Sequence, residues 1–179
     1  MKTVFLFSTL AVAAMFCPPA RGEVRTFAME GAVSYVNDPL HMLDWISVGT
    51  DRMVYTFSFD SEAVDKNPVP WIGEYDGLAA SVRVGGTPIN ATAPSIQIGH
   101  PSDIFRLQSH LLFSPYQGDA FLTLSDQAEN NALTDVSLPA SSYDLQAWQF
   151  KYFDFGIDVP QPGYPSVVTL TFGGDIDSF

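Results

Sequence analysis

Met53–Phe59, MVYTFSF, sets Met53, Tyr55, Phe57 and Phe59 on one side of an extended chain and Val54, Thr56 and Ser58 on the other. A period of two is the mark of a half-buried β-strand, because successive side chains leave a pleated backbone on opposite faces. The chain then runs into Asp60, Glu62, Asp65 and Asn67, followed by Pro68 and Pro70, which cannot extend a ladder. The whole stretch to Tyr75, FSFDSEAVDKNPVPWIGEY from Phe57, therefore reads as a strand feeding an oxygen-rich loop.

The same rhythm recurs on both sides. Val24–Val36 alternates, with Gly31 in its middle predicting a bulge or a close backbone approach. Leu78–Val84 is a further strand, and Gly85-Gly86 the tight turn after it. Thr87–Thr92 and Ser95–Gly99, interrupted by Pro88 and Pro94, suit edge strands. Ile104–Phe113 and Ala120–Ser125 flank the turn PYQGD and should pair. Asp126–Ser142 is polar and non-alternating, a long connection; Leu145–Ile157, carrying Trp148, and Val167–Phe172 are the last strands. His41–Val48 is ambiguous between a helical turn and an irregular crossover. Eight or nine strands and no convincing helix predict one all-β domain, an antiparallel β-sandwich of the jelly-roll kind.

The first 22 residues, with Lys2, an apolar run from Thr3 to Phe16 and a small-x-small site at Ala20 and Gly22, read as a cleaved signal peptide; the domain would span 23–179. The apolar run is shorter than the roughly 20 residues a spanning helix needs. Cys17 follows Phe16, where a lipid-modified leader has a small residue, and it would leave with the leader, so no disulfide is expected. Lys2 and Arg21 would leave too, so six of the eight basic residues remain against all twenty acidic ones. Such a surface repels phosphate backbones and anionic lipid, which argues against nucleic-acid and peripheral membrane partners and favours divalent cations.

Calcium takes six to eight oxygen ligands, and alternating acidic positions in a turn can converge on one ion. Asp60, Glu62, Asp65 and Asn67 are the candidate ligands, with Asp76, Asp175 or Asp177 completing the shell, although the spacing is not that of an EF-hand. A solvated turn in an acidic protein is the plainer reading. Trp71 and Tyr75, in a proline-flanked loop, are candidates for stacking on a glycan; most aromatics of a small β-domain are core, and Trp148 is expected there.

Catalytic motifs are not apparent. His41, His100 and His110 lack the paired spacing of zinc enzymes, and no G-x-S-x-G elbow occurs. Glu74 and Asp76 share a face if extended, as a glycosidase could use, but coincidences of that kind are common among twenty acids. Asn90-Ala91-Thr92 matches a glycosylation sequon.

Taken together, Asn37-Asp38-Pro39-Leu40, Val48-Gly49 before VYTFSF, Asp60-Ser61, Asp65-Lys66-Asn67-Pro68, Gly73, Tyr75, Ser81–Val84 with Gly85-Gly86, Leu122–Asp126 and Leu138-Pro139 resemble the layout of exported bacterial proteins of the PEP-CTERM-associated type. The resemblance implies a β-rich extracellular or envelope domain without an established activity. TFGGDIDSF at the C-terminus departs from that group, with no Val-Pro-Glu-Pro motif, apolar helix or basic tail, so a freely secreted or periplasmic protein is expected. The functional expectation is a non-enzymatic component of the envelope or matrix, with calcium in the Asp60 loop as an option and no cofactor required. The alternatives are a carbohydrate-binding module and, more distantly, a hydrolase.

Overall fold

The computed structural model describes residues 22–100, 102–113, 116–126, 132–160 and 167–179, so the leader lies almost wholly outside it. Ten strands form: β1 (Val24–Asn37), β2 (Arg52–Asp60), β3 (Ile72–Asp76), β4 (Ala79–Val84), β5 (Thr87–Ala91), β6 (Ser95–Gly99), β7 (Ile104–Phe113), β8 (Tyr116–Ser125), β9 (Phe150–Pro160) and β10 (Val167–Ser178). Every pairing is antiparallel.

The architecture is a barrel and not the expected sandwich. Starting at β7, the order β7-β5-β4-β2-β1-β10-β9-β8 returns to β7 through the β7–β8 ladder, so eight strands close on themselves. Closure turns on β7, which gives one edge to β8 along its whole length and divides the other. Leu111 and Leu112 face β5, whereas Ile104–Gln108 face β6. β6 in turn carries β3 as an outer flap.

Alternation survives this change, since an interior face exists in either architecture. In β2, Met53, Tyr55, Phe57 and Phe59 are all buried. They meet Phe105, Leu107 and Leu111 from β7, Leu122 and Leu124 from β8, and Phe153, Phe155 and Ile157 from β9. The interior holds one polar bridge, Tyr55 Oη to Ser109 Oγ at 2.5 Å, joining β2 to β7, which are not neighbours in the ring. Burial pushes the Tyr55 phenol up to about 12, against the smaller lowering effect of the Ser109 bond.

Gly31 does what its position predicted. The β1–β10 register shifts between Glu30 and Gly31, and a Cβ there would lie 2.1 Å from the Asp175 carbonyl oxygen. A second shift between Val33 and Tyr35 turns Tyr35 outward, where its hydroxyl donates to Asp154 at 2.6 Å. Gly85 and Gly86 both have positive φ, as a two-residue hairpin turn needs.

Three local expectations are corrected and one open alternative is resolved. β5 and β6 are not edge strands: β5 faces β7 only through Asn90 and Ala91, so Pro88 lies beyond the seam and its missing N–H costs that ladder nothing. Ile72–Asp76, expected in the acidic loop, is a strand. Trp148 is core, 3% exposed, but sits just after a short 3-10 turn at Leu145–Ala147 and not in a strand. His41–Val48, open between a helical turn and an irregular crossover from its sequence, forms turns without a helix.

Candidate functional site

Three of the four candidate ligands in the acidic loop, Asp60, Asp65 and Asn67, each turn one oxygen to backbone N–H groups, whereas the Glu62 carboxylate makes no bond to a described residue. Asp60 Oδ1 accepts from the Glu62 N–H at 2.9 Å, and Asn67 Oδ1 from Val69 at 3.0 Å. Asp65 Oδ1 accepts from Asn67 at 2.8 Å and also from Glu74 of β3 at 2.9 Å. The Lys66 N–H donates to the Glu74 carbonyl at 2.9 Å, and the Lys66 ammonium pairs with Asp76. The loop thereby supplies β3 with the donor and acceptor that a neighbouring strand would have given, which seals an otherwise open sheet edge.

Of the proposed outer ligands, Asp177 lies elsewhere and Asp76, beside the loop, is taken by a cation. Asp177 pairs with Arg52 at 2.6 Å, at the opposite end of β2 from Asp60, and Asp76 is held by Lys66. Among the described residues no three His, Cys, Asp or Glu side chains gather as a metal would require.

Trp71 and Tyr75 separate. Tyr75 points inward from β3, 7% exposed, and its hydroxyl donates to the Val136 carbonyl at 3.0 Å. Burial, then the nearby Asp65 and Asp135 charges, push its phenol up. It is a packing residue, which leaves Trp71 as the exposed aromatic of the two. Trp71 is 57% exposed and borders an open cleft of about 400 Å³ with Ile72, Gln97, Gly99, His100, Ser102 and Ile104.

This cleft follows from strand register. Ile72 of β3, Gly99 of β6 and Ile104 of β7 stand side by side on the outer face. Gly99 contributes no side chain, so the two isoleucines flank a trough. Among the described residues, a Cβ at Gly99 would touch only the Ile104 Cβ, at 3.8 Å. Trp71 is fixed at one end by its carbonyl, which accepts from the His100 N–H at 3.0 Å.

His100 is itself oriented. Its Nδ1 lies 3.2 Å from Oδ1 of Asp103, a residue 1% exposed whose other oxygen accepts from the Leu133 N–H at 3.3 Å. Facing a carboxylate, which only accepts, Nδ1 is the donor of this bond, and Nε2 has no partner among the described residues. Asp103 adopts a positive φ of 38°, an uncommon conformation for a residue other than glycine.

The trough thus joins an exposed indole and two aliphatic walls to the polar groups of Gln97, His100 and Ser102. Sequence reading found Trp71 but missed Gly99, His100 and Gln97, which are brought to it only by the β3–β6–β7 register. A larger cleft of about 700 Å³ lies at the other end of β7, where His110 Nδ1 and Asp119 Oδ1 stand 2.7 Å apart beside Thr92 and Leu112. Comparison with known proteins finds no matching family model, no similar curated protein and no similar solved structure.

Proposed function

We propose that the chain is an exported, non-enzymatic barrel domain that binds carbohydrate outside the cell or in its envelope, through the Trp71 cleft. The observation that carries this reading is the half-open Trp71 ring beside a side-chain-free trough at Gly99, with fixed hydrogen-bonding groups along it. Sugars present apolar C–H faces and equatorial hydroxyls together, so they fit a flat aromatic surface bordered by donors and acceptors. His100, held by a buried carboxylate, and Gln97, in a strand, need little ordering when a ligand arrives.

The reading departs from the expectation of calcium in the Asp60 loop, because one oxygen each of Asp60, Asp65 and Asn67 is turned to backbone N–H groups and the described residues gather no three ligating side chains there. The test is a glycan screen of the mature protein followed by Trp71→Ala. Truncation of an exposed ring should leave the melting temperature within about a degree or two, since surface changes seldom exceed ~0.5 kcal/mol. Binding should fall at least about tenfold. Undiminished binding in the variant would remove the cleft from the account.

A further inference from the structure

The trough does not end at Ile104. Register aligns two rows of outward residues across five strands: Ile72, Gly99, Ile104, Ser125 and Phe150, and beside them Glu74, Gln97, Arg106, Thr123 and Tyr152. A second hollow, about 300 Å³, is lined by Ile104, Arg106, Thr123, Ser125, Phe150 and Tyr152 and shares Ile104 with the first. Neighbouring strands lie about 4.8 Å apart, so four spacings from β3 to β9 make an arc of roughly 19 Å. That is the length of a short oligosaccharide, not of one ring.

Three features of the second hollow suit a ligand. Thr123 and Ser125 are 4% and 7% exposed, yet neither hydroxyl bonds to a described residue. No described polar side-chain atom is fully buried without a partner, so both oxygens must open into the hollow. Phe150 and Tyr152, 45% and 42% exposed, offer aromatic surface at the far side, matching Trp71 at the near one.

The third feature is charge. Arg25, Arg52, Lys66, Arg83 and Lys151 each have a carboxylate or carbonyl partner. Arg106 is the one Lys or Arg among the described residues with none, in a chain of net charge −12. A planar guanidinium fork left open between aromatic rings and two hydroxyls matches a carboxylate, which it can take through two parallel hydrogen bonds. The general negative charge acts against a polyanion at long range, but it is screened beyond about 8 Å at physiological salt, whereas direct contact is not.

We propose that the Trp71 cleft is one end of a continuous groove for an extended acidic oligosaccharide, with sugar rings on Trp71 and on Phe150 and Tyr152, and a uronate carboxylate on Arg106. This rests on the carbohydrate reading above and adds its length and its charge. Calorimetry with oligogalacturonates from the dimer to the hexamer, and with cello-oligosaccharides of the same lengths, tests it. A chelator is kept present so that calcium cannot bridge carboxylates. Oligogalacturonates should bind more tightly as they lengthen and outdo the neutral ladder by about tenfold or more. Arg106→Gln should abolish that preference without moving the melting temperature, and joint Phe150→Ala and Tyr152→Ala should flatten the length dependence while short oligomers still bind. Equal affinity for both ladders, with no gain in length and continued sensitivity to Trp71→Ala, would overturn the acidic groove and leave the carbohydrate reading standing. Binding of neither ladder would overturn the acidic groove and leave the carbohydrate reading to the glycan screen, whereas binding indifferent to Trp71→Ala would overturn both.

Discussion

Gly99→Val separates the stability of the barrel from the use of its outer face, because it should move the two in opposite directions. Gly99 has no left-handed φ, and the only heavy atom of the described residues near a Cβ placed there is Ile104 Cβ at 3.8 Å, ordinary contact. The strand can therefore accept a side chain without backbone movement. Glycine in a strand interior costs about 0.5–1 kcal/mol in unfolded-state freedom, and valine is among the best strand formers on a scale spanning about 1 kcal/mol. A stabilisation near 1 kcal/mol follows, which raises the melting temperature by roughly 2–4 °C in a domain of this size.

The new isopropyl group, however, stands between Ile72 and Ile104 and fills the trough beside Trp71. A ligand lying there must be displaced, and glycan affinity should fall at least about tenfold, ~1.4 kcal/mol. Thermal melts and calorimetry on the same preparation read both effects. A melting temperature lowered by several degrees would refute the packing argument, and glycan affinity equal to that of the parent would refute the site.

Other consequences concern the core and the loops. Tyr55→Phe leaves the Ser109 hydroxyl, 1% exposed, without its 2.5 Å partner and should cost about 1–3 kcal/mol in denaturant unfolding; adding Ser109→Ala should recover part of that loss, and a strictly additive double variant would sink the bridge. Asp65→Ala strands the N–H groups of Asn67 and Glu74 and should destabilise by about 1–2 kcal/mol, to the same extent with calcium or chelator; a calcium-dependent melting temperature lost in this variant would restore the cation reading. Asp38 tests acid sensitivity. Partial burial raises its carboxyl, but the N–H groups of Leu43, Met42 and Leu40 outweigh that and hold it below the ordinary carboxylate value. A depressed folded value means its stabilisation is complete above the unfolded pKa of about 3.9 and is lost as pH falls through the folded one. The melting-temperature gap between the parent and Asp38→Asn should therefore be flat at neutral pH and narrow only below about pH 4; a gap that narrowed between pH 8 and 6 would point to another group.

Much of the molecule was open to a reader of the sequence. Alternation in Met53–Phe59 and Ile104–Phe113, the glycine pair at Gly85-Gly86 and the bulge at Gly31 are all local, and each reflects a constraint within a few residues. Ile72–Asp76 escaped because it is short and follows prolines and carboxylates that signal a loop. Those carboxylates do belong to a loop, but one folded back along β3 so that Asp65 and Lys66 act as its missing neighbour. Nothing in a list of acidic residues separates an oxygen aimed at an ion from one aimed at an amide.

The sequence by itself determined which side chains face inward, since the two-residue period belongs to any extended chain with one dry side. It also marked the tight turns and picked out Trp71. Only the tertiary structure decided that the sheet closes, because alternation is identical in a sandwich and a barrel, while closure depends on β7 finding β8 on one edge and both β5 and β6 on the other. The same long-range register set Gln97, Arg106 and Tyr152 in one row, three residues from three strands that no local spacing relates.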